Sequence, residues 1–288
     1  MASIVANSWI YTTILIENDW GEKGTGFIVQ RKVAEDRARA FLVTNKHVIN
    51  NNPDLRQEAQ EITIHINMRQ PDGVVIAEKG ILPLYYADGT KNWREHPDPD
   101  VDVLVINATR LIMHFFSQLE MKLVDFSFLA NRDILQDFDI TIGEDVFVVG
   151  YPIGLTQGAT NHPIVRSGII ATRIGEPFED EIEENGSRRR RKLRGFLVDG
   201  ATVPGSSGSP VILKPTIGRI VAGTVSLDTP PPFLLGIIAE TKYAPVKAEK
   251  WPNVSFADLG LAFDAETIKE TIELFSEERE INEIQRAG

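Results

Sequence analysis

The sequence predicts an all-β protein: two β-barrels in tandem, with a helix at the C-terminal end. Three observations carry this. Short Val/Ile/Phe-rich runs recur from residue 9 to residue 263, separated by Gly, Pro, Asn and Asp clusters, with little helical period between them. Their number is too high for one small barrel, and 288 residues suffice for two. The stretch 107–140 is the least strand-like and makes the natural join.

The candidate strands, in order, are Trp9–Ile16, Gly26–Gln30, Ala40–Thr44, Glu61–Ile66, Gly73–Leu82, Val101–Ile106, Asp145–Val149, Ile164–Ile174, Gly195–Val198, Pro210–Leu213, Ile220–Ser226, Phe233–Glu240 and Ala257–Phe263. In the join, Leu111–Leu123 and Asn131–Phe138 read as short helices. Asp264 can cap a last helix, whose Ile268, Ile272 and Phe275 share one face at i, i+4, i+7. The expected domains are therefore 1–115, 116–263 (join and second barrel) and 264–288.

One hairpin can be set in register. Asn185-Gly186 is a strong two-residue turn signal. Pairing outward from it sets Glu183 against Arg188, Glu181 against Arg190, Asp180 against Arg191, Glu179 against Lys192 and Phe178 against Leu193. The acidic and basic runs explain each other as a solvated, charge-zipped ribbon.

Composition narrows the function classes. Apolar residues are 42% and charged residues 25%, as in soluble globular proteins. No apolar run approaches the ~20 residues a bilayer span needs, so no membrane association is expected. The first residues, Met1 to Trp9, show neither a basic nor an apolar leader region. Cysteine is absent, which fits a reducing, cytoplasmic setting and removes thiol nucleophiles and thiolate metal sites. A net charge of −11 argues against nucleic acid as a partner.

The chemistry starts at Pro204-Gly205-Ser206-Ser207-Gly208-Ser209-Pro210. Gly205 and Gly208 allow a tight turn that presents Ser207 and leaves backbone N–H groups pointing outward. These are the parts of a serine nucleophile and an oxyanion hole, and they demand a histidine and a carboxylate elsewhere. Of five histidines, only His47 follows a strand ending in a polar turn, Thr44-Asn45-Lys46. His65 alternates within a strand, His96 and His162 lie beside prolines in loops, and His114 lies in the join. For the carboxylate, Asp100 precedes an apolar strand, with Asp98 and Asp102 as competitors. A His96/Asp98/Asp100 cluster matches no strong metal-ligand spacing, and no metal or cofactor is expected. The order His, Asp, Ser excludes the α/β-hydrolase and subtilisin arrangements.

At this point the chain resembles the trypsin-like (chymotrypsin-fold) serine proteases, in particular their disulfide-free bacterial branch, similar to the Deg/HtrA protease domain. The resemblance runs by motif order over about residues 9 to 263 and rests on Gly24-Thr25-Gly26, Thr44-Asn45-Lys46-His47-Val48, Asp100-Val101-Asp102-Val103-Leu104, Gly143 to Gly154, Ser167-Gly168-Ile169-Ile170 and Asp199 to Pro210.

The resemblance implies two six-stranded antiparallel Greek-key barrels with the site between them. It implies a triad of His47, Asp100 and Ser207, with the Gly205 and Ser207 N–H groups as oxyanion hole. Ala201 and Thr202 fall at the base of the primary pocket, and Ala239, Glu240 and Thr241 on the strand that pairs with substrate backbone. That set favours small or medium apolar residues before the scissile bond. Ser206 stands where zymogen-activated relatives carry an aspartate, so that activation switch is not expected. The implied function is a serine endopeptidase acting on protein or peptide substrates, with an activating or substrate-recruiting protein partner as a further expectation. The alternative is a silent barrel that binds peptides as a scaffold.

Overall fold

The computed structural model describes residues 8–35, 37–49, 59–184, 187–200, 205–216, 218–221, 224–227, 230–244 and 255–275. The N-terminal half holds β1 (Thr13–Glu17), β2 (Lys23–Ala34), β3 (Arg37–Thr44), the one-turn helix α1 (Lys46–Ile49), β4 (Glu61–Arg69), β5 (Val75–Pro83), β6 (Trp93–Glu95) and β7 (Leu104–Asn107). The join contributes α2 (Thr109–Phe115), β8 (Val124–Asp125), a 3-10 turn at Phe126–Phe128 and α3 (Arg132–Asp137). The second half holds β9 (Asp145–Gly150), a 3-10 turn at Pro152–Gly154, β10 (Ile164–Ile170), β11 (Phe178–Glu184), β12 (Ser187–Leu193), β13 (Gly195–Asp199), β14 (Pro210–Leu213), β15 (Arg219–Val221), β16 (Thr224–Ser226), β17 (Leu234–Ala244), β18 (Ser255–Asp264) and α4 (Ala265–Glu273).

The second half closes into a six-stranded antiparallel barrel, β10-β13-β18-β17-β14-β9. The first half differs from a closed six-stranded ladder. It is an eight-stranded sheet ordered β5-β4-β1-β2-β3-β7-β6, with β8 added in parallel to β2. Its outer strands, β5 and β6, follow one another in the chain. The turn between them is tied by Tyr86 N–H to Thr90 O and Asn92 N–H to Leu84 O, both 2.9 Å, with one bridge from Tyr85 to Lys91.

Alternation dictates the local structure. In β4, Ile62, Ile64 and Ile66 turn inward and Thr63 and His65 face outward, so His65 is an ordinary strand residue paired with Glu17. The expected strand from Trp9 starts later, at Thr13. Residues 8–10 form a helical turn that buries Trp9, and Thr13 Oγ1 donates to Trp9 O at 2.9 Å. Ile220–Ser226 splits into β15 and β16. Asn131 caps α3 and Asp264 caps α4, each side chain accepting a backbone N–H three residues on.

Each half has its own core, and a third apolar cluster joins them. Phe27, Phe41 and Val103 of the first half pack with Ile212, Ile237 and Phe263 of the second. Ile268, Ile272 and Phe275 of the last helix enter the same cluster, so the apolar face of α4 helps to weld the halves.

Candidate active site

His47 lies in α1, immediately after β3. Its ring Nδ1 is 2.5 Å from Asp102 Oδ2, and its backbone N–H donates to Asp102 Oδ1 at 3.2 Å. Asn45 Nδ2 donates to Asp102 O at 2.6 Å, tying the Asp102 backbone to the same turn. Asp100 is elsewhere. Both its carboxylate oxygens accept from Arg189, at 2.6 and 3.1 Å, and its backbone N–H donates to Asp98 Oδ1. The expected contact of Asp100 with His47 is therefore corrected to Asp102. The reason is where the strand begins: β7 starts at Leu104, not Val101, so the carboxylate just outside buried strand is Asp102. Arg189 holds the Asp100 carboxyl below its usual range.

The charge on His47 is set by opposing effects. Burial lowers its pKa, while the hydrogen bond to Asp102 and the charges of Asp102, Glu240 and Glu22 raise it, with a net upward result.

The Gly205–Gly208 turn docks on the first half. Thr25 N–H donates to Ser207 O at 2.9 Å, and Thr44 Oγ1 donates to Thr25 O at 2.8 Å. Thr44 is the last residue of β3, three before His47. Gly208 has φ +86, and a Cβ there would overlap Thr25 O. Gly205 has φ +87, and its Cβ would lie 2.7 Å from Ile153 N. Both positions need glycine for conformation and for space. Gly208 N–H is taken by Ile238 O, whereas neither Gly205 N–H nor Ser207 N–H finds a backbone acceptor among the described residues. Ser206 is buried, and its carbonyl accepts from Ser209 N–H.

Ser207 Oγ donates to Ala239 O at 3.1 Å; among the described residues no hydrogen bond links it to His47. Ala239, Glu240 and Thr241 lie on β17 beyond Ile238, where its ladder with β14 has ended. Ala239 is buried. Ala201 and Thr202 lie outside the described residues.

A model of the trypsin-like peptidase domain matches residues 24–222. The chain belongs to that family. No curated protein matches the chain. Among solved structures, the crystal structure of Deg5 is 16% identical, with a TM-score of 0.49 over 94% of this chain and 91% of that one. The active form of the Rv3671c protease from M. tuberculosis is also 16% identical, with a TM-score of 0.48 over 93% and 82%.

This trypsin-like domain carries a feature that the sequence did not resolve. The β11–β12 register is the one drawn from Asn185-Gly186, with Phe178 opposite Leu193, Glu179 opposite Lys192 and Glu181 opposite Arg190. The turn itself lies outside the described residues. Arg190 and Lys192 pair with Glu181 and Glu179 on one face, as a charge zipper should. Arg189 and Arg191, on the alternate face, leave the ribbon and bind the body. Arg189 takes Asp100, two residues before Asp102, and Arg191 Nη2 donates to both oxygens of Glu240, at 2.7 and 2.9 Å. The hairpin is thus tied to both halves of the chain, to Asp100 in the first and to Glu240 in the second. Among the described residues, no helix is long and apolar enough to cross a membrane, and no cluster of three acidic or histidine side chains is set to hold a metal.

Proposed function

We propose that the chain is a serine endopeptidase with Ser207 as nucleophile, His47 as general base and Asp102 as its orienting acid. The observation that carries this is the His47–Asp102 contact, together with a two-glycine turn docked on Thr25, whose carbonyl is bonded by Thr44, three residues before His47. In the reaction, Ser207 Oγ leaves Ala239 O, gives its proton to His47 and attacks the peptide carbonyl. Asp102 fixes the histidine tautomer and stabilises the imidazolium. The N–H groups of Gly205 and Ser207, which have no backbone acceptor among the described residues, receive the developing oxyanion. His47 then gives the proton to the leaving amine; water, deprotonated by His47, attacks the acyl carbon, the bond to Ser207 Oγ breaks, and His47 returns the proton to Ser207 Oγ.

Substrate lies as an added strand along the open edge of β17 at Ala239–Thr241. Its backbone N–H takes Ala239 O, which releases Ser207. Binding of substrate, or of an activating protein partner, thereby arms the nucleophile. The resemblance, by aligning Ala201 with the base of the primary pocket and Thr241 with its entrance, supports small or medium apolar residues before the scissile bond. The absence of cysteine supports action in a reducing, cytoplasmic setting.

A fluorophosphonate probe tests the assignment. Ser207 is labelled in the wild type and not in Ser207→Ala or His47→Ala. The resting bond from Ser207 to Ala239 O favours one other reading, a silent peptide-binding barrel. No labelling, even with a proteome-derived peptide mixture present, would establish that reading instead.

A further inference from the structure

Loop 96–103 brings Asp102 to His47 without any helix or strand of its own. Its base is closed by His96 N–H to Val103 O at 3.0 Å. Lys46 Nζ, beside His47, donates to His96 O and Asp98 O at 3.2 and 3.3 Å. Within the loop, Asp98 organises the turn that leads to Asp102: its Oδ1 accepts Asp100 N–H and its carbonyl accepts Val101 N–H. Asp98 is in turn held by the His96 ring.

That ring is 3% exposed. Its Nδ1 faces the Asp98 N–H at 3.1 Å, a donor, so the ring proton sits on Nε2. Nε2–H donates to Glu270 Oε2 at 2.9 Å. Glu270 belongs to α4, and Arg194, between β12 and β13, grips it through both oxygens at 2.6 and 2.9 Å. A buried imidazole with both nitrogens engaged has one orientation. The far end of the chain therefore fixes the residue that fixes Asp98, four positions before the acid.

We propose that His96, locked in this tautomer by the Arg194–Glu270 pair, is a positioning residue for Asp102, and that it makes the His47–Asp102 geometry depend on the docking of α4. Without the Glu270 acceptor, the buried Nε2–H has no partner and the ring turns to find one. Asp98 N–H is released, the Asp98–Val101 turn loosens, and the Asp102 carboxylate no longer sits squarely on His47. The proposal rests on the protease reading only in taking His47 and Asp102 as base and acid.

The test reads His47 directly. Its ring-proton NMR signals are assigned by their loss in His47→Asn and titrated in the full-length wild type, Glu270→Ala and Glu270→Gln. Three carboxylates, Asp102, Glu240 and Glu22, raise the His47 midpoint, and burial lowers it. Misplacing Asp102 shifts the balance toward burial, so in Glu270→Ala the midpoint falls by roughly half a pH unit or more. Fluorophosphonate labelling of Ser207 slows about tenfold in the same variant. Glu270→Gln keeps an acceptor for His96 and restores most of both. If Glu270→Ala does not fold, Arg194→Lys keeps the charge without the fork and gives a smaller shift in the same direction. A His47 midpoint equal to wild type in a folded variant, whatever its melting temperature, overturns the proposal and leaves Glu270 a purely structural contact. The titration needs no turnover, so a wild-type chain that takes no probe would overturn the protease reading while the midpoint still decides this one.

Discussion

Asp102 Oδ2 meets His47 Nδ1 at 2.5 Å, and Asp102 Oδ1 accepts the backbone N–H of the same histidine at 3.2 Å. Both oxygens are therefore spent on one residue, one on the ring and one on the backbone that carries it. Asp102→Asn should lower the rate of Ser207 labelling by about 10⁴-fold, because the amide fixes the wrong tautomer. Asp100→Asn should lower it less than about threefold, since Asp100 faces Arg189 instead. The pH profile separates them further. A base must be unprotonated, so activity rises with pH through the raised His47 pKa. In Asp102→Asn that limb moves to lower pH, as burial prevails. An Asp100 variant with the larger loss would restore the sequence-based assignment.

The site is only partly legible in the sequence. The order His47, Asp, Ser207 was readable because motif order survives drift in spacing. The choice between Asp100 and Asp102 was not, since it depends on whether β7 begins at Val101 or Leu104. Val101 and Val103 are both fully buried, yet they belong to the loop and not the strand. Apolar runs report burial and not ladder hydrogen bonds. The hairpin teaches the same lesson: charge pairing gave its register, but alternation alone could not say that Arg189 and Arg191 would find Asp100 and Glu240. His96 was legible only as a loop residue, because its partner Glu270 is 174 positions away.

The two hairpin anchors should differ in strength. The Arg191 side chain is only 11% exposed and donates to both carboxylate oxygens of Glu240, whereas the Arg189 side chain is 47% exposed. Arg191→Ala should cost about 1–3 kcal/mol in urea unfolding, as it strips a part-buried carboxylate of its main partner. Lys242, 3.0 Å from the same carboxylate, limits the loss. Arg189→Ala should cost below about 1 kcal/mol. Amide exchange in β11 and β12 should quicken more in the first variant than in the second. Equal, small effects would mean that the ribbon holds itself and that its contacts with Asp100 and Glu240 are incidental.

Gly208 should tolerate no side chain. Gly208→Ala puts a methyl group into Thr25 O at a φ of +86. The turn must move off β2, with a loss of at least about 3 kcal/mol from strain and clash combined. Thr25 N–H then loses Ser207 O, so probe labelling should vanish even where the variant folds. A labelled Gly208→Ala protein would show that Ser207 reaches its reactive position without docking on Thr25.

The cap of α4 carries a stability change with pH whose sign is set by burial. Desolvation raises Asp264 from its ordinary value of 3.8 to about 6, against the lowering effects of Arg194 and the Thr267 N–H. A raised folded-state value means that the native state holds a proton the unfolded chain has lost. The stabilisation is fully present below pH 3.8 and disappears as pH rises through about 6. Asp264→Asn keeps an oxygen for the Thr267 N–H and carries no charge at any pH. The variant should therefore gain on wild type between about pH 4 and pH 6.5, by up to about 3 kcal/mol. Urea midpoints of both proteins at pH 4.5 and pH 7 measure the difference. A constant difference would mean that the Asp264 carboxylate is paid its solvation by Arg194 and that burial does not govern the cap.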